Sequence, residues 1–300
     1  MSISVKNISK SFKNKTALKN ISFEVEDGEL FGLIGPDGAG KTTLFRILTT
    51  LLIADEGTAT VANFDVVSAY KKIRNNVGYM PGKFSLYQDL TVEENLEFFA
   101  TIFGTTIEEN YDLIKDVYIQ IEPFKNRRAG KLSGGMKQKL ALCCALIHKP
   151  KVLFLDEPTT GVDPVSRKEF WEMLKRLQAK GITMLVSTPY MDEAALCDRI
   201  ALIQDGEILE IDTPKQITKH YPKTIYNVSA NNMYKLIESL KNYEHNYSVY
   251  PFGEFVHYSD NREDFNPNDL QHYLEKNQLQ NVEISKTIAT IEDTFMELAR

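Results

Sequence analysis

Leu30-Phe31-Gly32-Leu33-Ile34-Gly35-Pro36-Asp37-Gly38-Ala39-Gly40-Lys41-Thr42 is the stretch on which the fold turns. Its first five residues are apolar and closed by glycine, as suits a strand buried in a parallel sheet. The next eight fit G-x-x-x-x-G-K-[ST], and a helical stretch is expected from Lys41 to about Leu52. Strand, glycine loop and helix in that order make a cradle for phosphate. Glycines let the backbone wrap closely, so that successive N–H groups point inward, and the helix adds the positive end of its dipole. Gly35, Pro36, Asp37, Gly38, Ala39, Gly40, Lys41, Thr42 and Thr43 are therefore the candidate phosphate-binding residues. Lys41 is expected to reach the β- and γ-phosphates of a nucleoside triphosphate, and Thr42 to ligate Mg²⁺.

Working outward, Ile3, Val5, Ile8, Leu18, Ile21, Phe23 and Val25 alternate in the strand manner before the loop, with Asp27-Gly28 as a turn. From about Leu86 to Ile147 the spacing predicts helices, with Thr91-Val92-Glu93-Glu94 as a capping box. This reads as a helical insert over about 84–148 in an α/β core. Val152-Leu153-Phe154-Leu155-Asp156-Glu157 then reads as an apolar parallel strand that delivers two carboxylates at its C-terminal end, the Walker B pattern. Asp156 is expected to hold Mg²⁺, directly or through water, and Glu157 to act as general base or water-polarising group. Asp163-Pro164 opens a helix closed by Gly181; Ile182 to Val186 is a strand, and Ala201 to Ile211 a hairpin around Asp205-Gly206. After about Tyr221 tyrosine and asparagine become frequent. A boundary is expected near 218–223, giving a domain over 1–218 and a small α+β domain over 223–300.

Bulk properties exclude other classes. A net charge of −6 and a pI near 5.5 speak against a nucleic-acid surface. No apolar run approaches the roughly 18 residues that span a bilayer, and the N-terminus lacks the apolar segment of a signal peptide. Cys143, Cys144 and Cys197 have no metal or redox spacing and read as buried free thiols of a reducing cytosol.

Leu132-Ser133-Gly134-Gly135-Met136-Lys137-Gln138 precedes the carboxylate strand. Ser133 can cap a helix whose N-terminal amides bind an anion, with Met136, Leu140, Cys143 and Ile147 recurring at helical spacing on a face expected to be buried. The chain here resembles the ABC ATPase family, whose signature is L-S-G-G-x-x-Q, over roughly residues 2 to 215. The resemblance implies a P-loop NTPase core with an N-terminal antiparallel β-subdomain, and ATP with Mg²⁺ as ligands. It further implies that Ser133, Gly134 and Gly135 touch the γ-phosphate held by a second subunit, so that two ATP molecules are sandwiched. Phe12 falls where the family places an aromatic against adenine. Gly161-Val162-Asp163-Pro164 matches the D-loop, and Ser187-Thr188-Pro189-Tyr190-Met191-Asp192-Glu193-Ala194 the switch region.

Two positions depart from the family. Gly82 follows Tyr79-Met80-Pro81 where a glutamine is usual, and Pro189 stands where a histidine is usual. Proline offers no donor. Asp37, where asparagine is common, puts a carboxylate in an anion-binding loop and must point away from the phosphates. Two readings stay open: a working ATPase with an altered switch, or a clamp that closes on ATP, hydrolyses slowly and needs a fuller ATPase partner. The segment Leu86 to Leu96 resembles exporter ATPases of the multidrug-efflux or ABC-2 group. That resemblance implies a homodimer or a related ATPase subunit, a separate transmembrane permease, and a place on the cytoplasmic membrane face reached only through that permease.

Overall fold

The computed structural model describes residues 1–300 and separates two compact units, Met1–Pro214 and Lys215–Arg300. The division falls a few residues before the expected 218–223. The short helix Pro214–Lys219 buries Ile217, whose carbonyl accepts from Thr294 Oγ1 at 3.3 Å, and so packs with the second unit.

In the first unit, β1 (Ile3–Phe12), β2 (Lys15–Val25), β4 (Glu56–Val61) and β5 (Phe64–Asp65) form an antiparallel sheet in the order β2-β1-β4-β5. Its alternation buries Ile3, Val5, Leu18, Ile21 and Val25 on one face. The second sheet runs β10-β9-β3-β8-β7-β6. Its strands are β3 (Leu30–Ile34), β6 (Val77–Met80), β7 (Val152–Asp156), β8 (Thr183–Thr188), β9 (Arg199–Gln204) and β10 (Glu207–Asp212). All its pairs are parallel except β9 with β10, which form the hairpin around Asp205-Gly206. Every residue of β3, β7 and β8 is buried, the mark of strands covered on both faces. Phe23 stacks on Phe31 at 5.4 Å between ring centroids and joins the two sheets.

The glycine loop ends in α1 (Lys41–Leu48), shorter than the expected run to Leu52. The helical insert holds α3 (Val92–Ile102), α4 (Ile107–Tyr118) and α5 (Gly134–Leu146); α2 (Tyr70–Arg74) precedes β6. Thr91 and Thr106 both complete capping boxes, which set the starts of α3 and α4. Near its C-terminal end α5 is buried on almost every side, including Cys143 and Cys144. After β7 come α6 (Pro164–Ala179), capped by Asp163, and α7 (Met191–Ala194).

In the second unit, α8 (Pro214–Lys219) leads to β11 (Ile225–Ser229), α9 (Met233–Lys241), β12 (Asn246–Phe252), β13 (Phe255–Asp260), α10 (Pro267–Lys276), β14 (Glu283–Thr287) and α11 (Ile291–Leu298). The antiparallel order β12-β13-β11-β14, with β11-α9-β12 and β13-α10-β14 as crossovers, is the split βαβ arrangement. Leu236, Leu240, Leu270, Leu274, Val228 and Val256 make its own core.

Candidate nucleotide site

The site collects at the C-terminal ends of β3, β7 and β8, where parallel register sets Ile34 beside Thr188 and Asp156 beside Ser187. The loop that leaves β3 is held by backbone packing. A Cβ on Gly35 would fall 2.1 Å from the Ile203 carbonyl, and one on Gly40 2.4 Å from that of Ala17. Gly40 also has φ 107°, so two of the motif glycines are required by space and one by backbone angle as well. Pro36, Asp37 and Gly38 form the exposed crest, and Asp37 stands out toward solvent. Ala39 is buried beneath it, while Thr42 and Thr43 are half-buried in the first turn of α1, whose leading amides lack helical acceptors.

Lys41 is almost fully buried. Its Nζ donates to Gly35 O at 2.8 Å and Pro36 O at 2.9 Å, and lies 3.3 Å from Glu157 Oε1. The ammonium thus sits inside the loop, held by two of its carbonyls, while the loop's N–H groups are the ones that suit a phosphate. Glu157 has φ 51°, a left-handed backbone that costs a non-glycine residue about 1–3 kcal/mol. Its N–H reaches both the carbonyl and the hydroxyl of Ser187, each at 3.0 Å. Asp156, nearly inaccessible, accepts from Ser187 Oγ at 2.6 Å. Burial, with the Asp156 carboxylate adding, pushes the Tyr79 hydroxyl up to about 12.

Close-packed glycines, a buried lysine, a hydroxyl on the first helical turn and two carboxylates at the end of β7, beyond β8, suit a triphosphate with a hard divalent cation. The residues that fit the cation are Thr42 and Asp156. Glu157, Lys41, Asp156 and the loop are brought together, while Ser133, Gly134 and Gly135 stand elsewhere. Ser133 caps α5, accepting from Met136 N at 3.3 Å. The two glycines lie against the D-loop segment: positions for a Cβ would fall 3.4 Å from Gly161 O and 3.0 Å from Ser166 Oγ. Phe12 closes β1 with about half its surface exposed and the Lys10 ammonium 5.7 Å from its ring.

Comparison with known proteins gives the arrangement its family. A family model described as ABC transporter matches residues 18–160. The Nod factor export ATP-binding protein I of Rhizobium sp. (strain N33) is 36% identical over 247 residues, covering 81% of each chain. The chain belongs to the ATP-binding proteins of ABC transporters. The probable multidrug ABC transporter ATP-binding protein YbhF of Escherichia coli (strain K12) is 46% identical over 208 residues, which are 69% of this chain and 36% of YbhF. The chain therefore spans about a third of that relative's length. Among solved structures, the ATP-binding cassette MJ0796, a post-hydrolysis dimer bound to ADP and Pi, superimposes with a TM-score of 0.64 at 28% identity. It covers 70% of this chain and 98% of MJ0796.

Within this ABC cassette the two departures can be placed. Gly82 lies beside the acids: a Cβ there would be 3.1 Å from Asp156 O and 3.7 Å from Glu157 Cβ. Pro189 follows the end of β8 and is partly buried. Gln88 is exposed, its carbonyl accepting from Gly130 N at 2.9 Å. Sequence reasoning placed Glu193 in the switch region but gave it no partners; the structure buries it at the junction of three segments. It accepts from Thr159 Oγ1 at 2.7 Å, Thr188 Oγ1 at 2.6 Å and Arg167 Nε at 3.1 Å. A glutamate among apolar and alcohol residues was the available signal, but its partners are dispersed along the chain.

Proposed function

We propose that this ABC cassette binds and hydrolyses Mg-ATP and drives export through a separate permease, closing on nucleotide with an identical or related cassette. The observation that carries the reading is Glu157: its carboxylate stands 3.3 Å from Lys41 Nζ at the loop that takes the phosphates. Phosphoryl transfer to water needs little covalent help, and the work is positioning and charge neutralisation. Lys41 exchanges its hold on Gly35 and Pro36 for the phosphates. Glu157 accepts a hydrogen bond from the attacking water and aligns it, taking its proton as the bond to the γ-phosphorus forms and that to the β–γ bridging oxygen breaks, with ADP leaving. Thr42 and Asp156 would hold Mg²⁺, which would supply further neutralisation of phosphate charge. The signature helix α5 presents its N-terminus beside Gly161 and Ser166, away from this chain's own loop, which suits anion binding to the nucleotide of an opposing cassette.

A groove of about 450 Å³ between the core and the insert supports the permease contact. Leu51, Met80, Leu86, Phe99, Ile102 and Phe103 line it, and Leu51 and Ile102 are well exposed. No helix of the chain is long and apolar enough to cross a membrane, which supports a membrane contact made through the permease. The second unit is proposed to be a regulatory or dimer-stabilising module. The alternative, a slow clamp needing a fuller partner, is favoured by Gly82 and Pro189, which place no side-chain donor at either position.

Hydrolysis by the purified chain beside Glu157→Gln, with size-exclusion chromatography in ATP, separates the two. Turnover by the parent alone, with an ATP-dependent dimer of the variant, supports the motor. ATP binding without turnover in both selects the clamp.

A further inference from the structure

Ser187 ends the buried run of β8 and pairs in register with Asp156. Its side chain has one proton and one oxygen, and both are engaged with the two acids of β7. The hydroxyl donates to Asp156 Oδ1 at 2.6 Å, and its oxygen accepts from Glu157 N at 3.0 Å. The same N–H is shared with the Ser187 carbonyl at 3.0 Å. This is the backbone that enters the left-handed region at Glu157, immediately before Pro158, where the chain would otherwise prefer an extended form.

Other groups near the acids do little of this. Gly82 has no side chain, Pro189 has no donor, and Thr160 Oγ1 stands at 3.5 Å from Glu157 Oε2. Lys41 is bonded to Glu157 only until a phosphate claims it. Resting on the ATPase reading of this site, we propose that Ser187 is a positioning residue for both acids. It fixes the rotamer of Asp156, leaving Oδ2 for a divalent cation, and pins the Glu157 peptide so that its carboxylate is presented toward the phosphates. The hydroxyl reaches through Asp156 and Glu157 and has no contact with substrate of its own. A hydroxyl is needed because the position must donate to a carboxylate and accept from an amide at once, which alanine, valine and glycine cannot do.

The test compares the full chain with Ser187→Ala and Ser187→Thr. Binding of the fluorescent analogue mant-ATP is titrated with Mg²⁺ and, separately, measured in EDTA; kcat and KM for ATP are measured alongside. For Ser187→Ala the half-saturating Mg²⁺ concentration is expected to rise at least fivefold and kcat to fall at least tenfold. Affinity in EDTA and KM should stay within twofold, because the phosphate loop is untouched. Ser187→Thr, which keeps the hydroxyl, is expected within threefold of the parent on both readouts. Ser187→Ala within twofold of the parent in Mg²⁺ dependence overturns the proposal, and so does a Ser187→Thr as impaired as Ser187→Ala. If Ser187→Ala does not fold, Ser187→Cys, a near-isostere and weak donor, carries the same comparison. If the parent itself does not turn over ATP, the ATPase reading fails, while the Mg²⁺ titration still decides the role of Ser187.

Discussion

Replacing Glu157 by glutamine should do two opposite things to the nucleotide cycle. Glu157 Oε1 lies 3.3 Å from Lys41 Nζ, with Lys41 almost wholly buried and Glu157 only partly so. At an effective dielectric of about 20, unit charges at that separation attract by about 5 kcal/mol before desolvation and ordering are subtracted. For a pair with one partly exposed member, on the order of 1 kcal/mol survives. A triphosphate must break this pair and must also sit near a carboxylate of its own sign. Both costs vanish in the amide, so Glu157→Gln is expected to bind mant-ATP in EDTA about five- to tenfold more tightly, 1.4 kcal/mol being a factor of ten. Hydrolysis should fall by about 10²-fold or more as the base is lost. The assays are equilibrium titration and phosphate release on the same preparations. Equal or weaker binding by the variant refutes the opposing effect of the Lys41–Glu157 pair, and turnover within threefold of the parent refutes the assignment of the base.

Gly78→Ala would drive a Cβ to 2.3 Å from the Ala145 carbonyl of α5. Overpacking of that kind costs about 1–3 kcal/mol, so the first unit should melt roughly 3–10 °C lower by calorimetry, and an unchanged melt would show that α5 can yield. Burial holds the His148 imidazole below its usual 6.5. The unfolded chain then binds more protons just below that value, so stability should rise as pH climbs toward 6.5 and level off above it. His148→Gln should flatten the melting temperature between pH 5.5 and 7, and a retained slope assigns it to other groups. Residues 215–300, with their own core, should give a cooperative melt as an isolated fragment, and Leu270→Ala should destabilise it by about 2–5 kcal/mol. A broad, non-cooperative transition of the parent fragment would contradict an independent core. Burial pushes the Cys197 thiol up to about 12 and raises those of Cys143 and Cys144, so a thiol reagent should label none of them before unfolding.

The elements legible in the sequence are those whose instructions are local. β3 and β7 announce themselves as apolar runs closed by glycine or acid, α3 by its capping box, and the β9–β10 hairpin by Asp205-Gly206, whose left-handed angles the turn demands. What stayed hidden depends on tertiary partners. β14 exposes most of its residues, so no alternation marks it, and only its pairing with β11 makes it a strand. α11 and β13 drew no expectation, although Thr290 and Asp293 give α11 a capping box that the sequence carries locally. In the site, residue types near the phosphates could be read from motifs. The left-handed angle at Glu157, the inward fold of Lys41 and the engagement of Ser187 could not, since each depends on a neighbour supplied by another strand.

Beyond the Lys41 ammonium, the phosphate loop is fastened to its neighbours by main chain. Gly40 abuts the Ala17 carbonyl, Gly35 that of Ile203, and the Gly206 amide donates to Ala39 O while its carbonyl accepts from Lys19 N. Because every amino acid but proline carries the same amide, the exposed Lys15, Thr16 and Lys19 can drift in identity without loosening this clasp, provided the segment's length holds and Leu18 stays in the core. Single-residue insertions there should be far less tolerated than substitutions. Distant cassettes can therefore keep the loop's shape long after the neighbouring strand has lost any resemblance in its letters.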